Sequence, residues 1–351
     1  MGGKVKKSFV LAFCLVCSLA FAKKAQGPEW FSNLESVYPN SVYIAKMGFG
    51  KSSEEAKTDA AQNLSFYFNA IVQSKLETNI QELKNSSAKK SEISTESFEN
   101  KTTIDSFSSI KSLEFSEIYK NKKDKKFYCV AFVNRKILWN DFNVELKECR
   151  DGFMGFYNAA EETENPFSKI EILKSAKEKS LPFLEKYSYA QFLSESLTKK
   201  NYPGELKIIS SIDSQIQSIK NQNPICIRVQ NEKSSESFLP LTDTEENEIY
   251  SSVLKIFSDS GFKISKNPGE CKYSVLVNVS MQDQKDEDLL IFSPVVKIEL
   301  FEEESVFSYS KNCAAVKSYT EAVGRKKCIQ NIKSDLDSSF KAEIEGRFCI
   351  K

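Results

Sequence analysis

Histidine is missing from all 351 residues. Its absence removes the commonest general acid–base side chain and the commonest zinc ligand together. An excess of charge is missing as well, with 49 Lys and Arg against 48 Asp and Glu. A balance this even supplies no electrostatic footprint for nucleic acid. Beyond residue 22 there is no Cys-x-x-Cys pair, so neither a zinc ribbon nor a thioredoxin-type motif is encoded. Nor does that part of the chain hold the roughly 20 consecutive apolar residues of a membrane-spanning helix. These gaps favour a non-enzymatic chain with no cofactor, no metal site, no nucleic-acid partner and no transmembrane helix after the leader.

The first residues do carry a signal. Lys4, Lys6 and Lys7 form a positive start, residues 9–22 form an apolar run, and Ala20 and Ala22 place small side chains at positions −3 and −1 of a cleavage site. The run is too short to cross a bilayer, so residues 1–22 read as a secretory signal peptide cleaved after Ala22. A lipid anchor at Cys14 or Cys17 is disfavoured, because Phe13 and Val16 stand where a lipobox needs a small residue. Seven cysteines remain after cleavage, an odd number. At least one thiol therefore lacks an intrachain partner, and one or two disulfides are open to the others.

With 40% apolar residues and 26 phenylalanines, the chain has material for packed cores. Three regions follow the leader, and together they predict an α+β fold. Residues 28–134 read as strand, helix and strands. A strand at 42–45 leads to a helix capped by Ser52 and Glu55 and striped by Ala56, Ala60, Leu64, Tyr67, Phe68 and Ile71. Residues 72–80 then read as polar and extended, 86–109 as an exposed loop, and 113–119 with 127–133 as a hairpin. The lysines at its turn read as a solvated tip, the alternative being an anionic partner. Residues 135–221 are helical in pattern, a hairpin or stalk with a break at Pro166, a kink at Pro182 and a stop at Pro203 and Gly204. Residues 224–351 follow the order β-α-β-β-β-β-α, which predicts an antiparallel α+β sandwich with helices on one face. Its acidic segments, 283–288 and 302–304, fit solvated turns.

One stretch resembles chemistry. Residues 45–52, ending Gly50, Lys51 and Ser52, fit a relaxed phosphate-binding loop between a strand and a helix. Lys51 would reach phosphates and Ser52 would hold magnesium. Ala45 replaces the first glycine, no apolar strand ending in Asp follows, and an exported chain meets no nucleotide pool. The glycines are therefore read as a turn and Ser52 as a helix cap.

Pro28, Glu29, Trp30 and Phe31, then Tyr38 and Pro39, Tyr43 to Ala45, Gly48 to Gly50, Ala56, Ala60, Ala61 and Leu64 together resemble the "Lpp-twenty" family of bacterial envelope lipoproteins. Its domain also forms the N-terminal part of the flagellar T-ring protein. The resemblance covers residues 28–134. It implies strand, Ala-rich helix, long polar strand and hairpin, and a structural role in the periplasm or peripherally at the outer membrane. The family's lipobox is not present here. The leading expectation is an exported envelope protein whose partners are envelope proteins or peptidoglycan. A periplasmic ligand- or peptide-binding accessory protein is the alternative, and nucleotide binding through Lys51 a remote one.

Overall fold

The computed structural model describes residues 27–86, 112–231, 239–286 and 288–349. The cleavage residues Ala20 and Ala22, the cysteines Cys14 and Cys17, and all but the first residue of the loop expected at 86–109 lie outside the described residues. The fold is α+β, as expected. The described residues form two compact units, one of 27–77, 112–145 and 186–201, the other of 78–86, 146–185 and the described part of 202–349. The stretch 135–221 is helical apart from short breaks at 163–165, 194 and 202–204, and it contributes residues to both units.

In the first unit, two helical turns, α1 (Glu29–Ser32) and α2 (Leu34–Val37), precede strand β1 (Tyr43–Gly50) and helix α3 (Ser53–Ser86), whose last residues, from Thr78 on, belong to the second unit. Strands β2 (Glu114–Phe115), β3 (Tyr119–Lys120) and β4 (Phe127–Asn134) complete an antiparallel sheet in which β4 is central. Period-2 alternation gives β1 and β4 two apolar faces. On one face, Ala45 and Val130 pack with Trp30 and with Phe31, Leu34, Val37 and Tyr38 of the opening turns. On the other, Gly48 lies against α3 so closely that a Cβ there would sit 2.1 Å from the Ala60 backbone nitrogen.

The expected extended segment at 72–80 is helical instead. Ala56, Ala60, Leu64, Phe68, Val72, Leu76 and Ile80 are all buried, four residues apart without interruption. Four residues overshoot one turn by about 40°, so this stripe winds around the helix and keeps no fixed face. The expected single strand at 113–119 is split into β2 and β3. At the split, the Ser116 hydroxyl accepts from the Val130 N–H at 2.9 Å, and the Ser116 N–H donates to the Val130 carbonyl at 2.9 Å.

Three helices start in or reach the first unit: α4 (Arg135–Glu162), α5 (Pro166–Leu193) and α6 (Glu195–Asn201). Within it, Phe68 meets Phe192 edge-on at 4.9 Å and Phe142 stacks on Tyr189 at 5.4 Å. The Trp139 indole donates to the Thr198 hydroxyl at 3.0 Å.

The second unit is a sheet with helices on one face. After α7 (Glu205–Gln222) come β5 (Ile225–Asn231), α8 (Asp243–Asp259), β6 (Tyr273–Asp286), β7 (Leu289–Phe301), β8 (Ser305–Asn312) and β9 (Val316–Ser318). Helix α9 (Glu321–Asp335), a π-turn at Leu336–Phe340 and α10 (Lys341–Phe348) follow. The sheet is antiparallel except at β5, which runs parallel to β6 because α8 carries the chain back across the sheet. Tyr273, Val275, Val277, Val279 and Met281 of β6 share a buried face with Val296, Ile298 and Leu300 of β7. Against it pack Val253 and Phe257 of α8, Ile329 and Ile332 of α9, and Leu173 of α5. Gly261, at φ +81°, ends α8 where an L side chain would be strained.

Strand β7 continues through Pro294, although proline ordinarily interrupts a ladder. In an antiparallel strand the N–H and C=O of one residue point to the same neighbour. The Pro294 carbonyl accepts from Cys313, so its missing N–H faces the gap between β8 and β9. The interruption falls in that gap and leaves the β6–β7 ladder whole.

Candidate functional site

The phosphate-loop segment forms the end of β1 and the start of α3. Its amides are already bonded: the Phe49 N–H donates to the Asp59 carboxylate at 3.0 Å, and the Lys51 N–H to Glu55 at 2.7 Å. The Ser52 hydroxyl accepts from the Glu55 N–H at 3.2 Å. Two carboxylates thus stand at the positive end of the helix, on amides a phosphate would need. Gly50, like Gly48, gives α3 room: a Cβ on it would lie 2.4 Å from that of Glu55. Lys51 and Ser52 are exposed. The structure brings Gly50, Lys51 and Ser52 together as a helix start.

The same end of the sheet carries the lysine-rich turn. Pairing of Gly50 with Phe127 sets Lys51 beside residues 120–126, which contain Lys120, Lys122, Lys123, Lys125 and Lys126, all exposed. The single carboxylate of this turn is spent holding it. Asp124 accepts from Tyr128 Oη at 2.6 Å, from the Lys126 N–H at 3.0 Å and from Asn121 at 3.3 Å. The Tyr128 hydrogen bond, and then the Lys126 amide, hold the Asp124 carboxyl below the usual range. Lys125 adopts φ +61°, a left-handed position that favours glycine. Phe49 is 50% exposed and has the Lys126 ammonium 4.4 Å from its ring centre. Lys120 sits 4.8 Å over Phe127 in the same way. The lysine turn was legible in the sequence; its junction with Phe49 and Lys51 is a product of strand register.

In the second unit a groove of about 460 Å³ runs between α8 and α9, lined by Glu245, Glu248, Ala322, Arg325, Lys326, Ile329, Gln330 and Lys333. Its charges pair across it, Arg325 with Glu245 and Lys333 with Glu248 at 3.0 Å. Ligand pockets are mostly apolar with a few convergent polar groups, which this groove is not. Among the described residues no group of three or more Cys, Asp or Glu is placed to hold a metal, and no helix is long and apolar enough to cross a membrane.

Cys226, near the start of β5, and Cys271, just before β6, form a disulfide across the first ends of the parallel pair, closing a separation of 45 residues. Sequence spacing alone left the pairing open.

No protein-family model and no curated protein sequence matches the chain. Among solved structures it is similar to a secreted protein of Helicobacter pylori, at 13% identity and a TM-score of 0.30 over 86% of this chain and 97% of that one. It is also similar to a hypothetical protein of Chlamydia trachomatis, at 10% identity and a TM-score of 0.26 over 35% and 98%. A minor lipoprotein of Acinetobacter baumannii shows 8% identity and a TM-score of 0.23 over 36% and 93%. At these scores the likenesses carry no functional weight.

Proposed function

We propose that the chain is an exported structural or interaction protein of the bacterial cell envelope, in the periplasm or at the inner face of the outer membrane, and that it performs no catalysis. The observation that carries this is the Cys226–Cys271 disulfide in a chain that opens with a cleavable leader. Disulfides persist in oxidising compartments and are rare in the cytosol. The likeness of residues 28–134 to Lpp-twenty lipoproteins supports the same reading. Helix-backed sheets with open edges suit the holding of protein partners or peptidoglycan, because an edge strand presents unpaired backbone groups.

Intact-mass measurement on protein from its native cell fraction tests this. The expected species begins at Lys23, carries no lipid and is two hydrogens lighter than the fully reduced mature chain. Unprocessed chain in the cytosol, with Met1 attached, would overturn the proposal. Capture of envelope proteins or peptidoglycan by the purified mature protein tests the partner half of the reading.

A further inference from the structure

We infer that the lysine-rich end of the first unit is a docking surface for an anionic phospholipid bilayer. Residues 120–126 hold five lysines and one carboxylate, and that carboxylate is hydrogen-bonded to Tyr128 and to the turn's own amides. Strand register adds Lys51. Among the described residues none of these six lysines forms an ion pair. The neighbouring carboxylates are already engaged: Asp59 and Glu55 hold backbone amides, and Glu54 pairs with Lys57.

The shape selects the partner. A site for one soluble phosphate brings cations together in a concavity, whereas this turn spreads them over an exposed hairpin end, as a plane of headgroup charges requires. The apolar component matches. Phe49 is half exposed among the lysines, and aromatic rings flanked by cations settle at the headgroup level of a bilayer. The backbone points the same way, because a lysine occupies the left-handed position at 125, where glycine would be less strained. The inference rests on the export reading only for which bilayer the surface meets.

The test is flotation of the purified mature chain with phosphatidylcholine vesicles, with and without phosphatidylglycerol. Binding is expected only to the anionic vesicles and is expected to vanish near 1 M salt, where the screening length is about 3 Å. Combining Lys122→Gln, Lys123→Gln and Lys125→Gln should weaken binding roughly 100-fold, at about five-fold per lysine. The same charge change at the exposed Lys255, Lys263 and Lys266 of the second unit should have little effect. Phe49→Ser should weaken binding while leaving its salt dependence intact. Equal binding to both vesicle types, full binding by the triple variant with a native melting profile, or equally tight binding of free inositol hexakisphosphate would each overturn the inference. Vesicle binding by purified protein is read independently of processing in the cell, so either reading can fail alone.

Discussion

Glu245 and Arg325 join two helices through a carboxylate that also caps one of them. Oε2 of Glu245 accepts from Arg325 Nη2 at 2.5 Å, from the Thr242 N–H at 2.8 Å and from the Thr242 hydroxyl at 2.9 Å. The Glu245 N–H in turn donates to the Thr242 hydroxyl at 3.4 Å, completing a capping box at the start of α8. Arg325, on α9, also donates to the Pro240 carbonyl at 2.6 Å. Burial pushes the Glu245 carboxyl up, but the hydrogen bonds from Arg325 and Thr242 outweigh it, and the net direction is below the usual range. A carboxyl depressed in the folded state adds stability that is present above the ordinary glutamate value. That stability is lost as pH falls through the folded value. Glu245→Gln should therefore cost about 2 kcal/mol near neutrality, below the roughly 3–5 kcal/mol of a fully buried broken pair. The gap between variant and wild type, followed by urea unfolding, should close on acidification below about pH 4. A constant gap across that range would show that charge plays no part.

Gly48 decides how close α3 can come to β1. A methyl group there would meet the Ala60 nitrogen at 2.1 Å and the Ala56 carbonyl oxygen at 2.7 Å, both backbone atoms that cannot rotate away. Gly48→Ala should destabilise by about 3 kcal/mol, at the upper end of ordinary overpacking. Lys51→Ala, on the exposed start of the helix, should stay within about 0.5 kcal/mol. Chemical denaturation separates the two. Addition of Mg-ATP should leave the wild-type midpoint unchanged, and a rise abolished by Lys51→Ala would restore the nucleotide reading.

The same glycine shows what the sequence reveals and what it hides. Strand, cap and first helical turns were legible, because Ile44 with Ala45, Ser52 with Glu55, and Ala56 with Ala60 follow local rules. The continuation of α3 past Ile71 was not, since a winding four-residue stripe mixed with β-branched Val72, Thr78 and Ile80 offers no constant face. Strand β9 escaped because three residues are too few to display alternation. Strand β7 holds Pro294 in its interior, and no local pattern shows that the missing N–H there faces a gap. The lysine turn was visible as a local cluster, but its meeting with Phe49 depends on pairing across about 75 residues of sequence, which no local pattern reports.

The disulfide gives a prediction in two currencies. Closing a separation of 45 residues should contribute about 4 kcal/mol through the unfolded chain's lost entropy. The Cys226→Ser, Cys271→Ser double variant and the reduced wild type should then show the same loss in urea unfolding. Two other thiols mark the folded state. Burial, followed by repulsion from Asp335, pushes Cys313 up to about 11. Burial also pushes Cys328 up to about 11. Both should stay unlabelled by iodoacetamide at neutral pH and react once urea opens the second unit. Rapid labelling of Cys328 in the folded protein would contradict its burial.

The chain's two tryptophans are both buried and differ in one bond. The indole N–H of Trp139 reaches the Thr198 hydroxyl, which itself donates to the Ser194 carbonyl at 2.8 Å, tying α4 to α6 within the first unit. The indole nitrogen of Trp30 has no hydrogen-bond partner among the described residues, although its ring packs on Ala45, Val130 and Phe31. Replacing either by Phe removes a similar volume, so the difference between the two variants isolates the hydrogen bond. Trp139→Phe should cost about 1–2 kcal/mol more than Trp30→Phe, because it loses a bond and leaves the Thr198 hydroxyl with only its own donation to Ser194, whereas the change at position 30 deletes an unsatisfied donor. Each variant keeps one fluorophore, so urea unfolding followed by fluorescence reports both losses in the same unit. Equal losses would mean that the Trp139–Thr198 bond adds nothing beyond packing.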